Sequence, residues 1–293
     1  ILWVFNNEMD GVGIPDEFYL WDDETADLAF SADFWFGAVT AELLEYYDIV
    51  MEITTTATGE HANHYEIIHN WLQEGDKNYF LAGDDTFGLV NGTWTNEVFE
   101  TGTFFHDLGI AESRNDIGSF GLLNVLDAIE NDLLSGAMYN AIPDGSSIIY
   151  DPEYEIGFTN FLDGLIPTDD AVAFLTDAST GLAVGIYNIW ENDSRTVFCG
   201  FDPLSLNSSP EYFRFGASQY GPTIMSANWF TCEMVMPGDL NGDYSIDMLD
   251  IANLVEHILG NTSYSRCGQI AADITNDQFI DLLDVDALLS LWE

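Results

Sequence analysis

Apolar residues in the first 200 positions fall into two periods. Ile1-Leu2-Trp3-Val4-Phe5 is an unbroken apolar run and reads as a buried strand. Residues 32–47 set Phe34, Ala38, Ala41 and Leu44 at helical spacing, which predicts an amphipathic helix. Residues 48–53 read as a second strand and 61–72 as a helix closed by Glu74-Gly75. Residues 78–82 read as a third strand, followed by Gly83-Asp84-Asp85, and later strands are expected at 182–187 and 196–201. Strands alternating with helices predict an α/β domain, a parallel sheet flanked by helices. The stretch 86–180 is less regular and rich in Gly and Asp.

The pattern changes near the end of the chain. Asp239, Asn241, Asp243, Asp247 and Asp250 occupy positions 1, 3, 5, 9 and 12 of a 12-residue loop, with the Ser245 carbonyl at position 7. Asp273, Thr275, Asp277, Asp281 and Asp284 repeat the spacing, and Phe279 holds position 7. Each loop runs into an apolar helix, 251–259 and 285–291. Calcium takes six to eight oxygen ligands, and such a loop wraps them round one ion, so two Ca²⁺ ions are expected. Position 6, where the turn is sharp and Gly is usual, holds Tyr244 and Gln278.

Composition sharpens this picture. The chain has 51 acidic and 5 basic side chains, a formal charge of −46. Phosphate recognition needs clustered Lys and Arg, so nucleic acid is not expected as a partner, and an anionic membrane surface is disfavoured for the same reason. No apolar run reaches membrane-spanning length, so no insertion is expected. Hydrophobic residues make up 47% and aromatics 14%, enough to build a core rather than a disordered acidic tail. Self-repulsion on this scale calls for screening, by high salt or by bound divalent cations.

Three cysteines allow one disulfide at most. Cys199 lies in an apolar strand-like run and reads as a buried, inert thiol. Cys232 and Cys267 each stand just before one of the two loops. A bridge between them would staple a module too small for a large core, and it fits an oxidising extracellular setting. In such a setting the sequons at Asn91, Asn192, Asn207 and Asn261 become candidate glycosylation sites on surface loops. The chain opens at Ile1, as expected of a processed protein or of a piece of a longer one.

The tandem loops resemble the dockerin module of secreted bacterial proteins, over roughly the last 55 residues. In that family the last ligand is Asp, as in Asp250 and Asp284, and the eighth position is apolar, as in Ile246 and Ile280. The resemblance implies a small all-α calcium module over 231–293. Thr275 departs from the usual Asn or Asp, so the second site is expected to be the weaker. The family's recognition positions fall on Met248, Leu249, Leu282 and Leu283. These either pack against the rest of the chain or contact a protein partner, a cohesin-like domain or neighbouring copies of the same chain.

Residues 71–85, Phe104 to Ile110 and the late strands resemble domains similar to class I glutamine amidotransferases and ThuA-like proteins. That implies a flavodoxin-like, amidotransferase-like domain over 1–230. The amidotransferase version carries a nucleophilic Cys after a central strand, where this chain has Asp84-Asp85, so a non-catalytic domain is implied. The expectation is therefore an extracellular or cell-surface calcium-binding assembly protein. The alternative is a secreted, polysaccharide-directed hydrolase anchored through the same module. Its candidate residues are Glu60, His61, His64, Asp84 and Asp85, at the carboxyl ends of the strands or in the histidine-rich helix. A metal at His61 and His64 has only two evident ligands, so a solvated helix face is the expectation there.

Overall fold

The computed structural model describes residues 1–5, 33–36, 39–54, 62–84, 86–91, 94–118, 123–130, 132–141, 148–151, 160–208, 221–232, 237–240, 246–261, 264, 266–277 and 279–292. The chain divides into two compact units, Ile1–Ala227 and Asn228–Glu293.

In the first unit the strands are β1 (Leu2–Phe5), β2 (Asp33–Phe36), β3 (Ile49–Ile53), β4 (Asn78–Ala82), β5 (Glu97–Val98), β6 (Ile110–Arg114) and β7 (Asn124–Ala128). They continue as β8 (Ile148–Tyr150), β9 (Gly164–Pro167), β10 (Val172–Asp177), β11 (Ala183–Ile189), β12 (Arg195–Cys199) and β13 (Leu206–Ser208). The helices are α1 (Ala41–Leu44), α2 (Ala62–Leu72), α3 (Thr86–Asn91), α4 (Phe104–Asp107), α5 (Gly136–Ala141) and α6 (Pro222–Phe230), the last three residues of which belong to the second unit. The sheet runs β13-β8-β7-β10-β11-β12-β4-β3-β1-β2, with β9 joining β11 to β6 and β5 pairing β6.

This is an α/β fold with a mixed sheet, which corrects the expectation of a parallel one. The strands β2-β1-β3-β4-β12 are parallel to one another. From β12 outward, β11, β10, β7, β8 and β13 pair antiparallel. The reason is connection length. Parallel neighbours need a crossover of a dozen or more residues, whereas residues 178–182 and 190–194 are short turns that return the chain alongside itself. Asp177 builds the first of these turns, its carboxylate accepting from Thr180 N at 2.8 Å, Thr180 Oγ1 at 2.8 Å and Ser179 Oγ at 2.7 Å. Gly181 follows with φ +71°, a left-handed conformation that glycine adopts without a Cβ clash.

A second correction concerns residues 32–47. Asp33–Phe36 is a strand paired in parallel with β1, and the helix shrinks to Ala41–Leu44. The aromatic run Phe34-Trp35-Phe36 suits a strand beside β1, and pairing there outweighs the weak helical spacing. Thr40 starts the short helix, its hydroxyl accepting from Leu43 N at 3.2 Å.

Strands β3 and β4 are buried at every position, which is why they read as continuous apolar runs rather than as alternation. Rings of Phe87, Phe99, Phe105 and Phe198 pack with centroids 4.9–6.2 Å apart on one side of this half-sheet, a spacing at which aromatic pairs attract. Tyr65, Ile68, Trp71 and Leu72 of α2 enter the same core.

The second unit holds α7 (Met248–Ile258), α8 (Arg266–Ala272) and α9 (Leu282–Trp292). Both loop-following helices begin at the tenth loop position, earlier than the apolar pattern suggested. Their core is small: Ile251, Leu254, Ala272 and Leu288 are buried, with Ile246, Ile280 and Val285 packed against them. Cys232 and Cys267 form a disulfide, Cα–Cα 5.2 Å.

Asp177 gives a pH test. Burial raises its pKa, but hydrogen bonds from Asn124, Ser179 and Thr180 together hold it below the ordinary carboxylate value. A depressed folded pKa stabilises fully above the unfolded value of about 3.9 and ceases to do so as pH falls through the folded value. Asp177→Asn should therefore lower the urea midpoint at pH 7, and its deficit against wild type should shrink below about pH 4. A deficit that does not change with pH would contradict the assignment.

Candidate functional site

The two loops of the second unit share one internal frame. Asp247 is the N-cap of α7, its Oδ1 accepting from Leu249 N at 2.7 Å. Asp250 reaches back, Oδ2 accepting from Asp247 N at 2.8 Å, which completes a capping box. Its other oxygen accepts from Leu240 N at 2.7 Å. The second repeat does the same. Asp281 Oδ1 accepts from Leu283 N at 2.7 Å, and Asp284 accepts from Asp281 N at 2.9 Å and Thr275 N at 3.0 Å. Asp250 and Asp284 are both wholly buried. Each twelfth-position carboxylate thus ties the start of its loop to the start of its helix.

Electrostatics follow from that geometry. Burial pushes the Asp284 carboxyl up, yet hydrogen bonds from Thr275, Asp281 and Ile274 outweigh it and leave its pKa below the ordinary value. Asp273 Oδ1 accepts from Asp277 N at 3.0 Å, and Asp277 Oδ1 accepts from Phe279 N at 2.9 Å. Asn276 sits between them at φ +55°, a left-handed position that Asn tolerates. Thr275 donates its hydroxyl to Asp284 at 3.1 Å. Gly238, at φ +94°, lies so close to Leu288 and Ile246 that a Cβ would stand 2.8 Å and 3.3 Å from their methyl groups.

Oxygen is the sole donor type in both loops, which fits a hard cation such as calcium and not a thiolate- or imidazole-seeking metal. Asp239, Asp247, Asp250, Asp273, Thr275, Asp277, Asp281, Asp284 and the carbonyl of Phe279 belong to the described structure, whereas Asn241, Asp243 and Ser245 lie outside the described residues. Among the described residues no three Asp, Glu, His or Cys side chains converge closely enough to form a ready-made metal cluster.

The recognition positions are open. Met248, Leu249, Leu282 and Leu283 are 55%, 60%, 72% and 59% exposed. Of the sequons, Asn261 is exposed and Asn192 is half-buried in a turn, where it donates to Leu72 O at 2.9 Å. Asn91 lies in α3 and Asn207 in β13.

The first unit departs more from expectation. His64 is neither solvated nor placed for a metal. It is buried, accepting from Val39 N at Nδ1 over 2.8 Å, so its ring proton sits on Nε2 and points at Glu52 Oε2, 2.9 Å away. Glu52, also buried, accepts from the hydroxyls of Tyr79 at 2.5 Å and Tyr65 at 3.3 Å. Burial first, and the Glu52 carboxylate second, raise both tyrosines well above their usual pKa. The helix expected to turn His64 outward instead packs it inward, because the apolar residues around it face the sheet. Glu60, His61 and Asp85 lie outside the described residues.

Asp84 is buried at the end of β4. The structure brings it near Asp163, Asp202 and Tyr150, all buried, at the carboxyl ends of β4 and β12. Burial, then the charges of Asp84, Asp202 and Asp163, push the Tyr150 hydroxyl far above its usual pKa. Sequence reasoning missed Asp163, Asp202 and Tyr150. A signal existed for Asp202: two adjacent parallel strands each end in Gly followed shortly by Asp, Gly83-Asp84 and Gly200-Phe201-Asp202. Cys199 is buried in β12, and desolvation pushes its thiol far up, as suits an inert side chain.

The second unit thus carries a duplicated loop and helix, oxygen-rich in sequence, with a capping Asp at the ninth position of each loop. Residues 237–290 match the family model of the dockerin type I domain. No curated protein matches the chain. Among solved structures the "mmIFT52 N-terminal domain" is similar over 79% of this chain and 97% of that one, at 12% identity and a TM-score of 0.43, too low to carry an argument. The amidotransferase-like resemblance of the first unit finds no support in these comparisons. Among the described residues no helix is long and apolar enough to cross a membrane.

The small core of the second unit makes the disulfide consequential. Replacing Cys232 and Cys267 by Ser should destabilise that unit by about 4 kcal/mol through the freed loop of the unfolded chain. Calorimetry in saturating calcium would read this as a fall in one transition. Two unchanged transitions would refute it.

Proposed function

We propose that this chain is an extracellular or cell-surface calcium-binding protein whose second unit anchors it to a protein partner. The observation that carries the reading is the dockerin match over 237–290, on a surface where Met248, Leu249, Leu282 and Leu283 stand exposed. Dockerin domains bind cohesin, so the partner is a cohesin-like domain, with neighbouring copies of this chain as the other option.

Two ions are proposed. Asp239, Asn241, Asp243, Asp247, Asp250 and the Ser245 carbonyl would hold one, and Asp273, Thr275, Asp277, Asp281, Asp284 and the Phe279 carbonyl the other. Calcium supplies positive charge that offsets the mutual repulsion of these carboxylates. The protein does the rest: Asp250 and Asp284 fix each loop to its helix, and the helices carry the exposed pairs. The first unit, approximately residues 1–230, is read as a non-catalytic platform whose free cysteine, Cys199, is buried, and glycans at the sequons would suit an extracellular location.

Excess chelator should lower the melting transition of the second unit and leave that of the first in place. At free calcium of 100 times Kd the stabilisation is about 2.7 kcal/mol per site. Thr275 puts a hydroxyl where the first loop has the amide oxygen of Asn241, a weaker ligand for calcium, so Asp250→Ala should cost more calcium affinity than Asp284→Ala in titration calorimetry. Melting and cohesin binding both indifferent to calcium would overturn the proposal.

One observation favours a second reading. Buried Asp84 and Asp202 follow the parallel strands β4 and β12, where α/β sheets hold ligands, and both lie near Tyr150 together with Asp163, which precedes β9. A secreted hydrolase acting on polysaccharide would use carboxylates there, and reducing-sugar release that vanishes in Asp84→Asn and Asp202→Asn would establish it. Hydrolysis undiminished in both variants would remove these residues from consideration.

A further inference from the structure

The twelfth-position carboxylates of the two repeats differ in one partner. Asp284 accepts from the amides of Thr275 and Asp281, and also from the Thr275 hydroxyl at 3.1 Å. Asp250 accepts from the amides of Leu240 and Asp247. In the first repeat Asn241 holds the loop position of Thr275, and its side chain carries an amide in place of a hydroxyl. Outer hydrogen bonds of this kind hold a ligating carboxylate in orientation and raise its affinity for metal.

A hydroxyl approaches Asp250 from outside its loop. Asp250, Leu254 and His257 follow one another at spacings of four and three residues, so they share one face of α7. Tyr264, in the connection between α7 and α8, lays its ring over that of His257, with centroids 4.3 Å and planes 19° apart. It also packs against the core cluster that contains Ile251 and Leu254. Gly268 of α8 lies so close that an added Cβ would stand 3.0 Å from the Tyr264 Cβ. Held between two helices, the Tyr264 hydroxyl is buried and has no hydrogen-bond partner among the described residues. Burial, then the negative charge of Asp250, push its pKa up to about 12. A hydroxyl buried without a partner is costly to the fold, and this one lies where the charge of a ligand carboxylate reaches it. The second repeat has no such ring: Leu291, 53% exposed, stands where His257 does and gives nothing to stack on.

We propose that Tyr264 is a positioning residue for the first calcium loop. In the calcium-loaded protein its hydroxyl donates to the Asp250 carboxylate, the part that Thr275 plays at Asp284. The connection between the repeats thereby supports one ion site and not the other. This rests on the two-ion reading above and adds to it a partner from outside both loops.

The test titrates calcium into the full chain with one loop disabled at a time. Asp277→Ala removes an exposed ligand of the second loop and leaves the first to be measured, and Asp243→Ala does the converse. Adding Tyr264→Phe to Asp277→Ala should raise the calcium Kd about 10-fold or more, the scale for outer partners of metal ligands. Adding it to Asp243→Ala should change Kd less than about 2-fold. Phe keeps the ring on His257, so circular dichroism without calcium should not change. Equal losses at both sites would make Tyr264 a structural residue only and overturn the assignment, as would no loss at the first. Should a double variant misfold, the otherwise unaltered chain has its own readout. With tyrosine isotope-labelled at Cζ, the Tyr264 resonance, identified by its absence from the Tyr264→Phe single variant, should shift as calcium fills the first site. A resonance that calcium does not move would overturn the proposal. Each of these failures leaves the two ions themselves standing. Wild type that binds no calcium at about 10 mM would overturn the two-ion reading, and this inference with it.

Discussion

Two buried carboxylates, Asp250 and Asp284, hold the second unit together. Each accepts backbone amides from both ends of its own loop, closing the loop onto the first turn of the helix that follows. A buried charge is tolerated only where donors surround it, and here the donors are the amides that a helix start leaves unpaired. The same arrangement places the tenth and eleventh loop residues at the head of a helix, pointing outward. Loop chemistry and surface chemistry are thus coupled through one side chain per repeat.

The disulfide supplements this frame for a reason of size. Among the described residues the core cluster between the helices of the second unit has only Ile251, Leu254, Ala272 and Leu288 buried. So few cannot offset the entropy of ordering the whole segment, and small modules of this kind draw on covalent links or ions instead. The first unit has no such need, with a wide sheet and a core built from aromatic rings.

Charge shapes both units differently. In the second, carboxylates are exposed around the loops or held by backbone amides. In the first, some are drawn inside: Glu52 is met by two tyrosine hydroxyls and His64, and Asp177 by a turn of its own making. Asp84, Asp163 and Asp202 gather near Tyr150. Acidity in this protein is therefore a set of local arrangements rather than a uniform coat.

Local rules made the loops readable. The spacing of Asp239 to Asp250 and its repeat from Asp273 makes two oxygen-rich loops readable within a dozen residues, although the helices after them begin at Met248 and Leu282, earlier than the apolar pattern suggested. The central strands β3 and β4 were legible for a like reason, because burial on both faces leaves an apolar run. What lay beyond reach depended on pairing between remote segments. Residues 33–36 became a strand because β1 was available beside them, and His64 turned inward because Glu52 and Val39 awaited it. The nearness of Asp84, Asp163 and Asp202 to Tyr150 likewise follows from how strands distant in sequence line up. The linear chain determined the short-range chemistry of the two oxygen-rich loops, while only the tertiary structure decided which remote strands pair and which side chains are buried together, since those arise from long-range contacts that no local pattern encodes.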